Sequence, residues 1–555
     1  MPSKTTVTNW CYGIAACTAM ILYGYDASTF NAVQGSKHWV AYFNKPTPSQ
    51  IGTINSVYVV GNIVSGFFAA PWVSSRYGRR VPIMLGALLV IVATFVQTFA
   101  PRGHLNAFLG GRFVVGLGQG LALPNGPVYV SEVTRPHVRG RLLGFWQLFY
   151  SVGAFMAFWI NYATSKHTAK LGEWDWKLVL IFQLVCPVIL LITMPLVCES
   201  PRWLVEKGRV DDARRALRRI RDTEEEIESE LLEIREALEF EQNELKSTGF
   251  YSAYKLLWTD KSLRRRFIFA LIINAGQQLT GQGSLVSYST AVYKKVFTNL
   301  STVALINALN ATFGIVFTLT AVFFIERLGR KGLLTIGAIG QALCMLIVAV
   351  VGSETPFIGA KHDSKTLPVG VSIVFLLFLF IFFYKPSWGA TVWIWTSEVF
   401  SFNVRIYAVG AATQTQNVAN IILNQFFPQF LAKAGFRAFY LFAGINVGLA
   451  IFCIFVLPET RGVKLEEMDV IFGGKNHVDG GADMMAGQST YSAEKPGVEH
   501  HENDLTSEEL AKRTLLYLPL KTPEHSSDRQ LVTTRAPLGA VLNLISYYVV
   551  GLQWL

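Results

Sequence analysis

Twelve long stretches of this chain carry almost no charge, and that pattern fixes the solvent in which it can fold. Residues 51–75, 81–100, 142–165, 178–198, 267–293, 301–325, 332–353, 406–432 and 438–458 contain no Asp, Glu, Lys or Arg. Three more stretches, 10–32, 107–130 and 370–396, hold one charge each: Asp26, Arg112 and Lys385. A helix needs about 20 mostly apolar residues to cross the hydrocarbon core. Lipid offers no partner to backbone N–H and C=O groups, so each span must satisfy its own. The expected fold is therefore an all-α membrane protein of twelve transmembrane helices. Charged residues make up only 16% of the 555 residues, against about 25% in soluble proteins.

The net charge of +11 does not require nucleic acid, because basic residues belong at the ends of membrane helices, facing anionic lipid. No cleavable signal pattern is present, so the first span is read as the first membrane helix. The six cysteines, at 11, 17, 186, 198, 344 and 453, lie in or beside the spans, without zinc or disulfide-framework spacing. No P-loop, hydrolase triad or metal spacing is found, so neither an enzyme nor an ATP-driven pump is expected, and no cofactor. GLGQG at 116–120 lacks the preceding strand of a dinucleotide loop and reads as close helix packing.

The spans divide the chain into a six-helix half (1–198), a charged linker (199–266), a second six-helix half (267–458) and a mostly polar tail (459–555). In the linker, apolar residues recur at helical spacing among dense opposite charges, which predicts solvated surface helices. Ten Lys and Arg flank its two membrane ends, which places it and both termini in the cytosol. Asn299-Leu300-Ser301 is a glycosylation sequon in a loop this topology puts outside. The uncharged run 536–555 is read as an interfacial or artefactual segment rather than a thirteenth helix.

Three signatures recur in register. SRYGRR (75–80) after the second span matches ERLGRK (326–331) after the eighth. Glu132 and Arg139 after the fourth span match Glu398 and Arg405 after the tenth, with a spacing of seven in both. ESPR (199–202) echoes ETR (459–461). Such duplication places a substrate site near the midplane, between halves that rock.

Together with GYD (24–26), GRFVVGLGQG (111–120), QQLTG (277–281) and PETRG (458–462), these motifs resemble the sugar porter family of the major facilitator superfamily, and fungal hexose or disaccharide porters in particular. The resemblance covers residues from about 10 to 470. It implies a membrane sugar transporter, expected in the plasma membrane and working as a monomer. It also implies that Arg79, Arg80, Glu132, Arg139, Glu199, Arg202, Glu326, Arg330, Glu398 and Arg405 form a cytosolic gate of salt bridges. Ser75 stands where the family often has Asp.

The resemblance further implies that Asp26 pairs with Arg112, and that a proton carried by Asp26 is the coupling ion. An ionisable group inside the membrane is costly and functional by default. No histidine lies in a span, which leaves no His relay. Facilitative uniport and non-transporting sugar sensing stand beside symport as alternatives. Matching the family motifs, Gln147, Gln277, Gln278 and Asn420 are the expected hydrogen-bonding groups of the sugar pocket, with Tyr288 and Trp393 as its aromatic surface; Gln416 and Asn417, also expected there, stand where the family commonly has Asn-Trp. Gly283, Ser287 and Gly314 replace larger family residues and are expected to enlarge the pocket, so that a disaccharide or pentose fits as readily as glucose. Lys385 is read either as snorkelling or as altering the pocket.

Overall fold

The protein is seen in a computed structural model that describes residues 4–135, 138–139, 142, 146–247, 250–354, 366–400, 402–461 and 472. All regular structure among these residues is helical, and twelve helices correspond to the twelve spans. The first half supplies α1 (Lys4–Val33), α2 (Pro48–Tyr77), α3 (Arg80–Thr98), α4 (Leu105–Val133), α5 (Trp146–Lys166) and α6 (Trp174–Thr193). The second supplies α7 (Lys261–Leu279, then Gln282–Tyr293), α8 and α9 (300–354, broken at Gly329), α10 (366–398), α11 (Phe402–Ala434) and α12 (Phe439–Phe455).

Proline sets the local irregularities. α2 opens on a capping box, in which Thr47 Oγ1 accepts from Gln50 N and Gln50 Oε1 accepts from Thr47 N. It widens into a π turn at Ser65–Ala69, just before Pro71. α10 does the same at Lys385–Gly389, around Pro386. A proline has no N–H for the carbonyl four residues back, and its ring crowds that carbonyl, so the ladder slips by one residue there. α6 tightens to a 3-10 turn at Phe182–Leu184 ahead of Pro187 and ends at Thr193, five residues short of the expected 198.

The glycine run of α4 explains how the first half packs. A Cβ on Gly116 would lie 2.2 Å from Tyr58 O, and one on Gly120 would lie 2.4 Å from Asn62 O, both on α2. A Cβ on Gly118 would lie 2.6 Å from Gly86 O on α3. Alternate members of GLGQG thus seat the backbones of two neighbours in van der Waals contact, the attraction that holds helices together where lipid cannot drive them. Each half has its own main apolar core: one draws on buried residues between Ala15 and Leu231, the other on residues between Leu257 and Phe472.

The linker helices are less solvated than the sequence suggests. Pro201–Glu206, Val210–Ile220 and Glu224–Ser247 follow the first half, and Phe250–Thr259 leads into α7. Ala213, Leu217, Ile220, Ile227 and Leu231 join the first-half core. Arg135 bridges to Asp222 at 2.8 Å and to Glu226 at 3.0 Å, and buried Arg221 bonds Glu230. Most of the tail, including 536–555, lies outside the described residues.

Replacing Gly120 or Gly118 by leucine is expected to destabilise the detergent-solubilised protein by about 1–3 kcal/mol or more, as overpacking does. Gly110, with nothing within 4 Å of its would-be Cβ, should accept alanine without a shift in melting temperature.

Candidate functional site

The repeated loops build the same structure twice. Gly78 turns the chain at φ +93° after α2, and Gly329 at φ +75° after α8, a region that favours glycine. A Cβ at either position would also strike a carboxylate: Glu199 at 2.5 Å, or Glu459 at 2.6 Å. Glu199 accepts from the backbone N–H groups of Arg79 (2.9 Å) and Arg80 (3.4 Å), capping α3. Glu459 accepts from Arg330 N (2.9 Å) and Lys331 N (3.0 Å), capping α9. The Arg79 guanidinium then grips Glu132 through two bonds of 3.0 and 3.1 Å, and Arg330 grips Glu398 through bonds of 3.1 and 2.8 Å. Such forked pairs are the geometrically specific form of an Arg–carboxylate contact. Ser200 Oγ adds a 2.6 Å bond to Glu132. Burial pushes the Glu199 carboxyl above its usual range, against the backbone N–H groups of Ser200 and Arg79.

The other expected gate residues fall differently. Arg80 turns its Nε to Met194 O (2.8 Å), and Arg139 reaches Thr134 O (3.4 Å). Arg202 sits in the first turn of Pro201–Glu206. The side chains of Glu326 and Arg405 lie outside the described residues. Each forked pair stays within one half. Glu459, which the ETR echo pointed to, is the helix-capping carboxylate that the sequence reading left out. Arg266, one of the ten cations at the linker's membrane ends, is buried between Val399 O and Ser262 Oγ, at 3.0 Å from each.

Asp26 is fully buried in α1. Its Oδ2 accepts from Gln119 Nε2 of α4, while its Oδ1 has no hydrogen-bond partner, with the unpartnered Gln183 amide beside it. Arg112, seven residues before Gln119 and so on the same face, does not hold the carboxylate. Its Nη1 donates to the Asp26 backbone carbonyl at 3.3 Å, and its guanidinium lies 4.7 Å over the Tyr58 ring. The expected Asp26–Arg112 pair is therefore adjacent but not joined. Gln119, hidden inside a glycine run, supplies the bond that the arginine does not.

Of the expected pocket groups, several tie helices together. Gln277 donates to Trp388 O (2.7 Å) and accepts from Gln416 Nε2, so both ends of its amide are used. Tyr288 is buried and donates to Asn424 O at 2.9 Å. Asn417 donates to Gln414 (3.3 Å), and Asn420 accepts from Asn424 (2.9 Å). Trp393 is 43% exposed, and Gln147 and Gln278 are half-buried. Gln278 and Asn420 converge on Gly283, whose Cβ would lie 2.6 Å from Gln278 Oε1. The space left at Gly283 is thus filled by Gln278, and that at Gly314 faces Lys385 Cε, 3.7 Å from a would-be Cβ. Gly283 therefore makes room for another side chain rather than for a larger pocket, whereas Gly314 borders open space.

Lys385 does not snorkel. It is 8% exposed, on the π turn of α10, and its Nζ donates to Ser151 Oγ (3.2 Å) on α5 and lies 5.6 Å over the Tyr150 ring. It lines a cavity of about 60 Å³ between the halves, together with Ser28, Gln282, Ser289, Asn307, Asn310 and Gly314. That space holds several water molecules.

The halves are joined chiefly at the end of the bundle away from residue 4. There Asn31 Nδ2 donates to Val286 O and Ser289 Oγ, both at 2.7 Å, and Gln34 Nε2 donates to Ser287 O at 2.7 Å. Thr290 returns two bonds to Asn31, and Asn307 locks Ser289 and Thr290 from behind. This α1–α7 clamp was missed because single polar residues in spans carry no distinctive spacing.

The fold and these paired sites define a multi-pass membrane transporter with major facilitator architecture. The xylose transporter XylE from E. coli, in an inward-open conformation, shares the fold at a TM-score of 0.68 and 21% identity, over 83% of this chain and 98% of its own. The chain belongs to the sugar (and other) transporter family, whose model matches residues 11–472. Among curated relatives, a probable quinate permease of Aspergillus fumigatus is 30% identical over 493 residues, covering 85% of this chain and 90% of its own. The quinate permease of Emericella nidulans is 29% identical over 494 residues, covering 85% and 91%.

Asn31→Ala removes bonds worth about 0.5–1.5 kcal/mol each, so spin labels at the exposed positions 41 and 299 should report a population with the clamp end parted. An unchanged distance distribution would refute the clamp. Burial, and then Lys37 nearby, push the Lys294 ammonium from 10.5 down to about 8. The closed clamp thus disfavours the charged form. Between about 8 and 10.5, raising pH should favour closure and lowering it should favour parting, with no further change below 8, and Lys294→Gln should flatten that dependence.

Proposed function

We propose that this chain is a proton-coupled symporter of a small polyhydroxylated solute, working by alternating access. The halves, taken as 1–198 and 267–458 and joined by 199–266, rock about the cavity beside Lys385. The solute is a sugar, the substrate that the family description puts first, or a polyhydroxylated compound like the quinate named for the curated permeases. The clamp closes one end, and the intact loops at the other end keep each half rigid while it tilts. With both termini in the cytosol, the clamp faces outward and this conformation faces inward. We place the transporter in the plasma membrane, acting as a monomer.

The observation that carries the proton coupling is Asp26. A buried carboxylate with one oxygen unpartnered, and its arginine bonded elsewhere, bears an uncompensated charge unless it holds a proton. Arg112 needs only to move from the Asp26 carbonyl to its carboxylate to stabilise the ionised form. Loading and release of the proton then accompany a short local shift rather than a new site. Proton–xylose symport named for a structural neighbour fits this reading.

Uptake by transporter-deficient yeast should collapse with a protonophore. Asp26→Asn should abolish accumulation against a gradient, by at least about tenfold, while leaving solute exchange at equilibrium. Uptake that survives the protonophore, or an Asp26→Asn variant that still accumulates solute, would reduce the protein to a uniporter.

A further inference from the structure

We propose that the transported solute is an acid: a polyhydroxylated carboxylate whose carboxyl group is bound by Lys385. This rests on the transporter reading and names the substrate class of the same cavity.

Lys385 lies near the middle of α10, far from either membrane face, and is 8% exposed. Its contacts are a hydroxyl, Ser151 Oγ at 3.2 Å, and the face of Tyr150 at 5.6 Å. Among the described residues no carboxylate lies within ion-pair distance of its Nζ. The buried acid of the first half, Asp26, spends its bonded oxygen on Gln119. An ammonium held inside the membrane without an anion is expensive, and such charges mark substrate pathways. A neutral solute would leave this cost in place, whereas a carboxylate removes it and gains a charge-assisted hydrogen bond in a site of low dielectric.

The cavity is built to admit that group. Gly314 lines the wall opposite and leaves space beside the lysine, the one atom within 4 Å of its would-be Cβ being Lys385 Cε at 3.7 Å. The same cavity carries two buried polar atoms without partners, Ser28 Oγ and Gln282 Oε1, one from each half. A hydroxyl on the solute satisfies both kinds of atom, accepting from the serine and donating to the amide oxygen. One fixed cation and unpartnered hydroxyl-binding groups on both walls describe a hydroxylated acid better than a neutral sugar.

The test uses the full chain in proteoliposomes with an imposed proton gradient. Radiolabelled quinate, gluconate and galacturonate are compared with glucose, xylose and myo-inositol. Uptake of at least one acid, competed by the other acids and not by the neutral compounds, is the expected result. Neutral compounds carried as well as or better than the acids would overturn the inference and leave the transporter standing. No uptake of either class would remove the transporter reading, and the inference with it. Lys385→Gln, checked for an unchanged melting profile, should cut acid uptake by about 10–100-fold, with Lys385→Arg retaining more. A Lys385→Gln variant that still transports acids normally would overturn the assignment. Should that variant fail to fold, the competition panel on the unaltered protein decides alone.

Discussion

Hydrocarbon cannot hydrogen-bond, and everything in this chain follows from that. Backbone groups must pair along their own helix, so the architecture is a bundle. Helices gain little from apolar attraction when the solvent is itself apolar, so close backbone contact has to hold them. The glycines of α4 provide it on two sides. Polar side chains are then confined to places where another helix or a cavity meets them. That is why the functional groups are so few and so closely grouped.

The two ends of the bundle are held differently. At the end near the chain start, charges are fixed inside each half, by forked Arg–Glu pairs and carboxylates that cap the next helix. At the far end, neutral amides and hydroxyls join one half to the other. Neutral bonds of modest strength would suit a contact remade in each cycle of the proposed rocking. The forked pairs can persist through the same motion, because neither partner has to leave its half.

The spans, the duplicated loops and the glycine packing were legible in the sequence, because charge depletion and motif spacing are properties of the chain itself. Pairings across helices were not. Gln277 was expected to face the solute, yet both ends of its amide are spent on α10 and α11. Asp26 and Arg112 were expected to form a pair, yet Gln119 takes the carboxylate. Which of several nearby polar groups wins a partner depends on rotamers and helix rotation, neither of which leaves a periodic trace. The amphipathic linker helix Val210–Ile220 looked solvated by charge density alone. Its apolar positions, at 213, 216, 217 and 220, nonetheless form one stripe, and that stripe is buried.

The contact between Gly314 and Lys385 ties two distant positions into one. Alanine fits at 314 at ordinary contact distance from the lysine chain, whereas a longer side chain there would meet Lys385. A lineage moving between this arrangement and one with a bulky amide at 314 would have to shorten residue 385 first, passing through an ancestor with an emptier, less selective chamber. Substrate preference in such carriers would therefore change in ordered steps, with a promiscuous intermediate between two specialists.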